Sequence, residues 1–114
     1  MTLLLNHVQR LNLKVMVGAL VADIGSIRAH WALQDKLMLT DEEAVGVGLT
    51  SAFVGGREIY NWLPDSSLVC MHIELDEREK AIVEQAIQAW PSYQISQARG
   101  WLPAILEQLG IPLK

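Results

Sequence analysis

The chain has 114 residues, the length of one domain with a single, modest core. Hydrophobic residues make up 51% and charged residues 19%, an apolar surplus of the kind that a subunit interface absorbs. The formal net charge of −4, with the basic residues scattered, argues against duplex nucleic acid, which is bound by runs of Lys and Arg neutralising phosphates. The single cysteine, Cys70, excludes an internal disulfide and points to a reducing, cytoplasmic setting.

The opening Met1-Thr2-Leu3-Leu4-Leu5 lacks the basic start of a signal peptide, and Asn6, His7, Gln9 and Arg10 interrupt it. The longest apolar run, 15–22, ends at Asp23 and falls short of the ~20 residues that cross a bilayer, so no membrane partner is expected.

From Leu4, apolar or small residues recur every third or fourth position through Val8, Leu11, Val15, Gly18, Ala22, Gly25, Ala29 and Ala32. A second set, Leu13, Val17, Leu20, Ile24, Ile27 and Trp31, keeps the same spacing beside the first. This periodicity predicts one long helix over 3–37, roughly 50 Å at 1.5 Å per residue. A break near Asn12 is an alternative, because Leu11-Asn12-Leu13 also fits an extended piece.

Thr40 is an N-cap with Glu43 three residues on, and Asp41, Glu42 and Glu43 place negative charge at the positive end of the helix dipole. The helix they open is expected to run to Leu63, where Pro64 stops it. Its small stripe, Ala44, Gly48, Ser51 and Gly55, matches the small stripe of the first helix and predicts close packing of the two. The competing reading is that Gly46, Gly48, Gly55 and Gly56 make part of 44–56 strand or loop.

Over 68–75, Val69, Met71, Ile73 and Leu75 alternate with Leu68, Cys70, His72 and Glu74, which is strand periodicity. Its partner would be residues 11–17 or a second subunit, or the segment is simply extended. Asp76-Glu77-Arg78-Glu79 opens a further helix with Ile82, Val83, Ala86, Ala89 and Trp90 on its apolar face and Pro91 at its end. A short helix over 92–99 closes at Gly100, and a last one over 103–109 begins at Pro103 and is terminated by Gly110 and Pro112.

The expected fold is therefore mainly α, with α+β as the alternative. It is a single domain over 1–114, with a long antiparallel helical hairpin (3–63), an extended connection (64–75) and two or three shorter C-terminal helices (76–110). A helix so long is apolar on two faces, which predicts a homodimer with a four-helix core.

No motif fixes a chemistry. Asp23, Ser26 and His30 have the residue types of a hydrolytic triad, but they lie side by side on one helix face, as solvated residues do. Cys70 and His72, with His7 and His30, lack the paired spacing of a zinc site, so neither metal nor cofactor is expected. Gly55-Gly56-Arg57 is a weak anion-site pattern without a nucleotide fingerprint. Tyr60, Trp62, Trp90, Tyr93 and Trp101 form an aromatic-rich set. Within it Trp101, Arg99, Tyr93 and Trp90 are the candidate binding residues, and Trp101, between Gly100 and Pro103, is the one expected at the surface. These features favour a non-enzymatic interaction module that binds itself and another protein. A small-ligand sensor with a pocket lined by Trp31, Trp62 or Trp90 is the alternative.

Overall fold

The computed structural model describes residues 1–62, 70–91, 93 and 95–111, with the side chains of Arg57 and Glu58 excepted. Along these residues run β1 (Thr2–Leu5), α1 (His7–Gly18), α2 (Ile27–Leu37), α3 (Asp41–Val47), β2 (Thr50–Val54), β3 (Arg57–Asn61), β4 (Met71–Glu74), α4 (Glu77–Ala89), α5 (Ile95–Arg99) and α6 (Leu102–Leu109). The strands form two separate antiparallel pairs, β1 with β4 and β2 with β3. The fold is α+β, and the mainly α hairpin expected over 3–63 is not formed.

The single helix expected over 3–37 is divided by its own polar residues. Leu3 and Leu5 point into the core while Thr2 and Leu4 face outward, so the first residues alternate as a strand. Asn6 then caps α1: its side chain accepts from the Gln9 N–H, and the Gln9 side chain accepts from the Asn6 N–H. α1 ends at Gly18. A turn follows in which Asp23 Oδ1 accepts from the Ser26 N–H at 2.9 Å, and α2 starts at Ile27. A 50 Å helix would not fit a molecule whose longest axis is 37 Å. The close helical neighbour of α1 is α2, from the same segment. A Cβ at Gly18 would sit 2.6 Å from Gln34 Nε2, which donates to the Lys14 carbonyl, so a larger residue there would displace that amide.

The expected capping box at Thr40 and Glu43 is present, but its helix is short. Gly48 adopts φ +65, the left-handed conformation that ends a helix without steric cost in glycine, and the Leu49 N–H donates back to Ala44. The helix expected over 41–63 is instead α3 followed by a β-hairpin, and residues 63–64, where it was to stop, lie outside the described residues. The small stripe Ala44, Gly48, Ser51, Gly55 therefore belongs to no one helix.

The strand expected near 68–75 is found as β4. It pairs with β1 in the register Leu3↔Ile73, so its partner lies within the chain and is not residues 11–17. Residues 68–69 lie outside the described residues. α4 begins at the Asp76–Glu79 capping box and buries Ile82, Val83, Ala86 and Ile87; Ala89, expected on that face, is exposed. α5 lies within the helix expected over 92–99. α6 has Pro103 in its first turn and Gly110 at φ +73 after its end, as expected, whereas Pro112 is outside the described residues.

The main core gathers side chains from β1, α1, α2, β4, α4 and α6, with Leu3, Leu13, Leu33, Val83 and Ile105 fully enclosed. A smaller cluster of Leu11, Leu39 and Val47 lies beneath the hairpin, where Tyr60 and Trp62 pack on it. Among the described residues no helix is long and apolar enough to cross a membrane.

Candidate functional site

The aromatic residues singled out near the C-terminus pack in or against the main core. Trp101 is only 8% exposed, so the expectation that it sits at the surface is not met. Its ring lies 6.2 Å from that of Tyr93, its carbonyl accepts from Gln9 Nε2 at 3.1 Å, and it belongs to the main core. Tyr93 donates its hydroxyl to the Ile87 carbonyl at 2.6 Å, and burial raises its pKa. Trp90 packs on the same core and lines a small cleft of about 80 Å³ between α1 and α4. Arg99 is exposed on α5. Three aromatics thus pack where α4 and α6 meet α1.

The other constellations also resolve into backbone architecture. Asp23 accepts from the Ser26 backbone N–H, and His30 Nδ1 lies 2.9 Å from the Ser26 carbonyl; both bonds go to main chain, not to the Ser26 hydroxyl that a triad would engage. Among the described residues no group of three or more His, Cys, Asp and Glu side chains could hold a metal. Gly55 and Gly56, at φ +60 and +75, form the two-residue turn between β2 and β3, so this glycine pair serves a hairpin.

Two buried polar groups have roles that the sequence did not show: Arg10, and His7, which figures there only as a candidate metal ligand. Arg10, 1% exposed, donates from Nη1 to Glu43 and from Nη2 to the Met38 carbonyl, both at 2.7 Å, and so ties α3 to α1. His7, equally buried, meets Trp62 edge-on with ring centroids 5.5 Å apart; burial first, and then the charge of Arg10, hold its pKa below the ordinary value.

The feature that remains unexplained by folding is the surface around the hairpin. Lys14 Nζ donates to the Tyr60 hydroxyl at 2.7 Å and sits 5.2 Å from the centre of its ring, which fastens β3 to α1. Because side chains alternate along a strand, Ser51, Phe53 and Tyr60 share the side toward α1, while Thr50, Ala52, Val54 and Ile59 share the outer side. Phe53 is nevertheless 76% exposed. It forms the rim of a cleft of about 230 Å³ with Lys14, Val15, Gly18, Gln34 and Gly56. The turn between α1 and α2 continues from that rim and exposes Val21 (95%) and Ile24 fully to solvent, and Trp31, one helical turn before Gln34, is exposed as well. None of Trp31, Trp62 and Trp90 lines the larger cleft. Hairpin alternation on either side of Gly55-Gly56 was the sequence signal for this surface.

No family model, curated protein or solved structure matches this chain.

Proposed function

We propose that this chain is a non-enzymatic protein-interaction module, a small adaptor, regulator or inhibitor, that self-associates. The observation that carries the reading is the set of large apolar side chains left in solvent: Phe53 on the side of the hairpin toward α1, Val54 and Ile59 on its outer side, and Val21, Ile24 and Trp31 in the α1–α2 segment. Each such side chain left in water forgoes the ~1.5–3 kcal/mol that burial would give, and a cluster of them on a small domain marks an interface. The homodimer proposed here uses the β2–β3 hairpin; a shared four-helix core has no basis once the long hairpin is gone. A small-ligand sensor stands second, since the 230 Å³ cleft beside Lys14 is smaller than the ~300–1,000 Å³ of ordinary ligand pockets. A cytoplasmic location accords with the exposed free thiol of Cys70.

Light scattering over a range of concentrations tests the reading. A dimer mass that falls to the monomer's on Phe53→Ser with Val54→Ser is the expected result, and a wild-type monomer at every micromolar concentration contradicts self-association.

A further inference from the structure

A strand with an unpaired edge exposes a row of backbone N–H and C=O groups that a second strand can pair with. β1 and β2 each belong to a two-stranded sheet and so each has a second edge. The fold closes that of β1 with a side chain: Gln108 of α6 accepts from the Leu4 N–H at 2.7 Å and donates to the Leu4 carbonyl at 3.0 Å. β2 is treated differently. All of its residues are exposed. Its sequence, Thr-Ser-Ala-Phe-Val, also lacks the charge and the proline with which edges are ordinarily blunted.

The turn fixes which groups this edge offers. With a two-residue loop, Val54 and Arg57 form the closing hydrogen-bonded pair, and hydrogen-bonded pairs then alternate along the ladder through Ala52↔Ile59 and Thr50↔Asn61. The backbone groups of Thr50, Ala52 and Val54 therefore face β3. Those of Ser51 and Phe53 face outward.

We infer that β2 pairs antiparallel, along this open edge, with β2 of a second copy of the chain, about a two-fold axis through Ala52. The inference rests on the self-association proposed above and names its geometry. Antiparallel pairing centred on Ala52 sets Ser51 opposite Phe53 of the second copy and Phe53 opposite Ser51, so the residues with outward N–H and C=O groups become the hydrogen-bonded pairs. Every outward group of the edge is satisfied at once. The side chains fit as well: Phe53 meets a serine, Val54 meets Thr50, and Ala52 meets itself on the axis, so no bulky residue opposes another. The outer faces then join into one apolar strip, Ile59, Ala52, Ala52 and Ile59, across a four-stranded sheet. A foreign strand could use the same edge, but the match of each residue to its own symmetry mate selects a second copy, and such an interface is isologous and closed.

Cross-linking and mass together test the geometry. In a Cys70→Ser background, Ala52→Cys places two thiols on a non-hydrogen-bonded pair with Cα atoms about 4.5 Å apart, within disulfide reach. Thr50→Cys places them about 13 Å apart, given ~3.3 Å per residue, beyond reach. Oxidation is expected to give a covalent dimer of Ala52→Cys at a rate at least about tenfold above Thr50→Cys. Ser51→Pro deletes one outward N–H on each copy, sparing the β2–β3 ladder, and is expected to weaken the dimer by about tenfold or more. A wild-type dimer that Ser51→Pro leaves intact, with no preference for Ala52→Cys, would overturn edge pairing but not self-association. A wild type that stays monomeric overturns both. A monomer whose Ser51 and Phe53 amides gain exchange protection only on adding an extended peptide would give the edge to a foreign strand and overturn the second-copy assignment.

Discussion

The Glu43 carboxylate makes the Arg10 side chain part of a helix cap. Its Oε1 accepts from the Thr40 N–H at 2.9 Å, closing the capping box of α3, while its Oε2 accepts from Arg10 Nη1 at 2.7 Å. Glu79 repeats the arrangement on α4, accepting from the Asp76 N–H and from Lys36 Nζ. In both places the acid that starts one helix is the ion-pair partner of a base on another, so local helix initiation and tertiary docking share one side chain. The two differ in surroundings: Arg10 is buried, whereas Lys36 is half in solvent, where an ion pair contributes little.

Glu43→Ala leaves the Arg10 guanidinium buried without its counter-charge and is expected to cost about 3 kcal/mol in urea unfolding. Glu43→Gln keeps acceptors for both Thr40 and Arg10 and is expected to cost less than Glu43→Ala. A loss below ~1 kcal/mol for Glu43→Ala would mean that Arg10 reaches solvent easily.

Stability is expected to fall on acidification in two windows. The folded protein holds His7 below its ordinary pKa of 6.5, through burial and then the charge of Arg10, so the unfolded chain takes up the proton first. The stability tied to neutral His7 is complete above 6.5 and is lost as pH falls from there toward the lower folded value. For Glu43, burial raises the pKa, but the hydrogen bonds and charge of Arg10 together with the bonds to Thr40 outweigh it and leave the net value below 4.5. Its contribution is complete above 4.5 and lost as pH falls through the folded value. Urea midpoints at successive pH values check both windows. A His7→Gln variant should lack the first window, and a wild-type midpoint unchanged between about pH 7 and 5 contradicts the account of His7.

Gly56→Ala is expected to destabilise the hairpin by about 1–2 kcal/mol, because φ +75 brings a Cβ close to the following carbonyl while nothing else crowds the site. Amide exchange should quicken in β2 and β3 and stay unchanged in β1 and β4. A uniform change across both sheets would show that the hairpin does not open independently.

Trp101→Ala is expected to lower stability by about 3–5 kcal/mol, as removal of a packed core aromatic does. Trp31→Ser, on the exposed face of α2, is expected to change it by less than ~0.5 kcal/mol. Thermal melts of the two variants check the assignment of one tryptophan to the core and the other to the surface; equal effects would contradict it.

The sequence by itself determined the local starts and stops. Thr40 with Glu43, Asp76 with Glu79, Pro103 and Gly110 act through bonds and backbone preferences that span only a few residues, so their positions were legible without knowledge of the fold, as was the alternation of β4. The tertiary structure decided what those pieces became. The 3–4 spacing from Leu4 to Ala32 continues across β1, a cap, a helix, a turn and a second helix, and of its nine positions only Leu11 is buried, because a local spacing does not say where the chain reverses. Only the pairing of Leu3 with Ile73, seventy residues apart, makes the first residues a strand. Trp101 looked open between Gly100 and Pro103, yet Tyr93 and Gln9 enclose it from distant parts of the chain. Conversely, Ile24 and Trp31 fit an apolar stripe on paper and stand in solvent, since burial depends on which elements meet, a long-range property that periodicity does not carry.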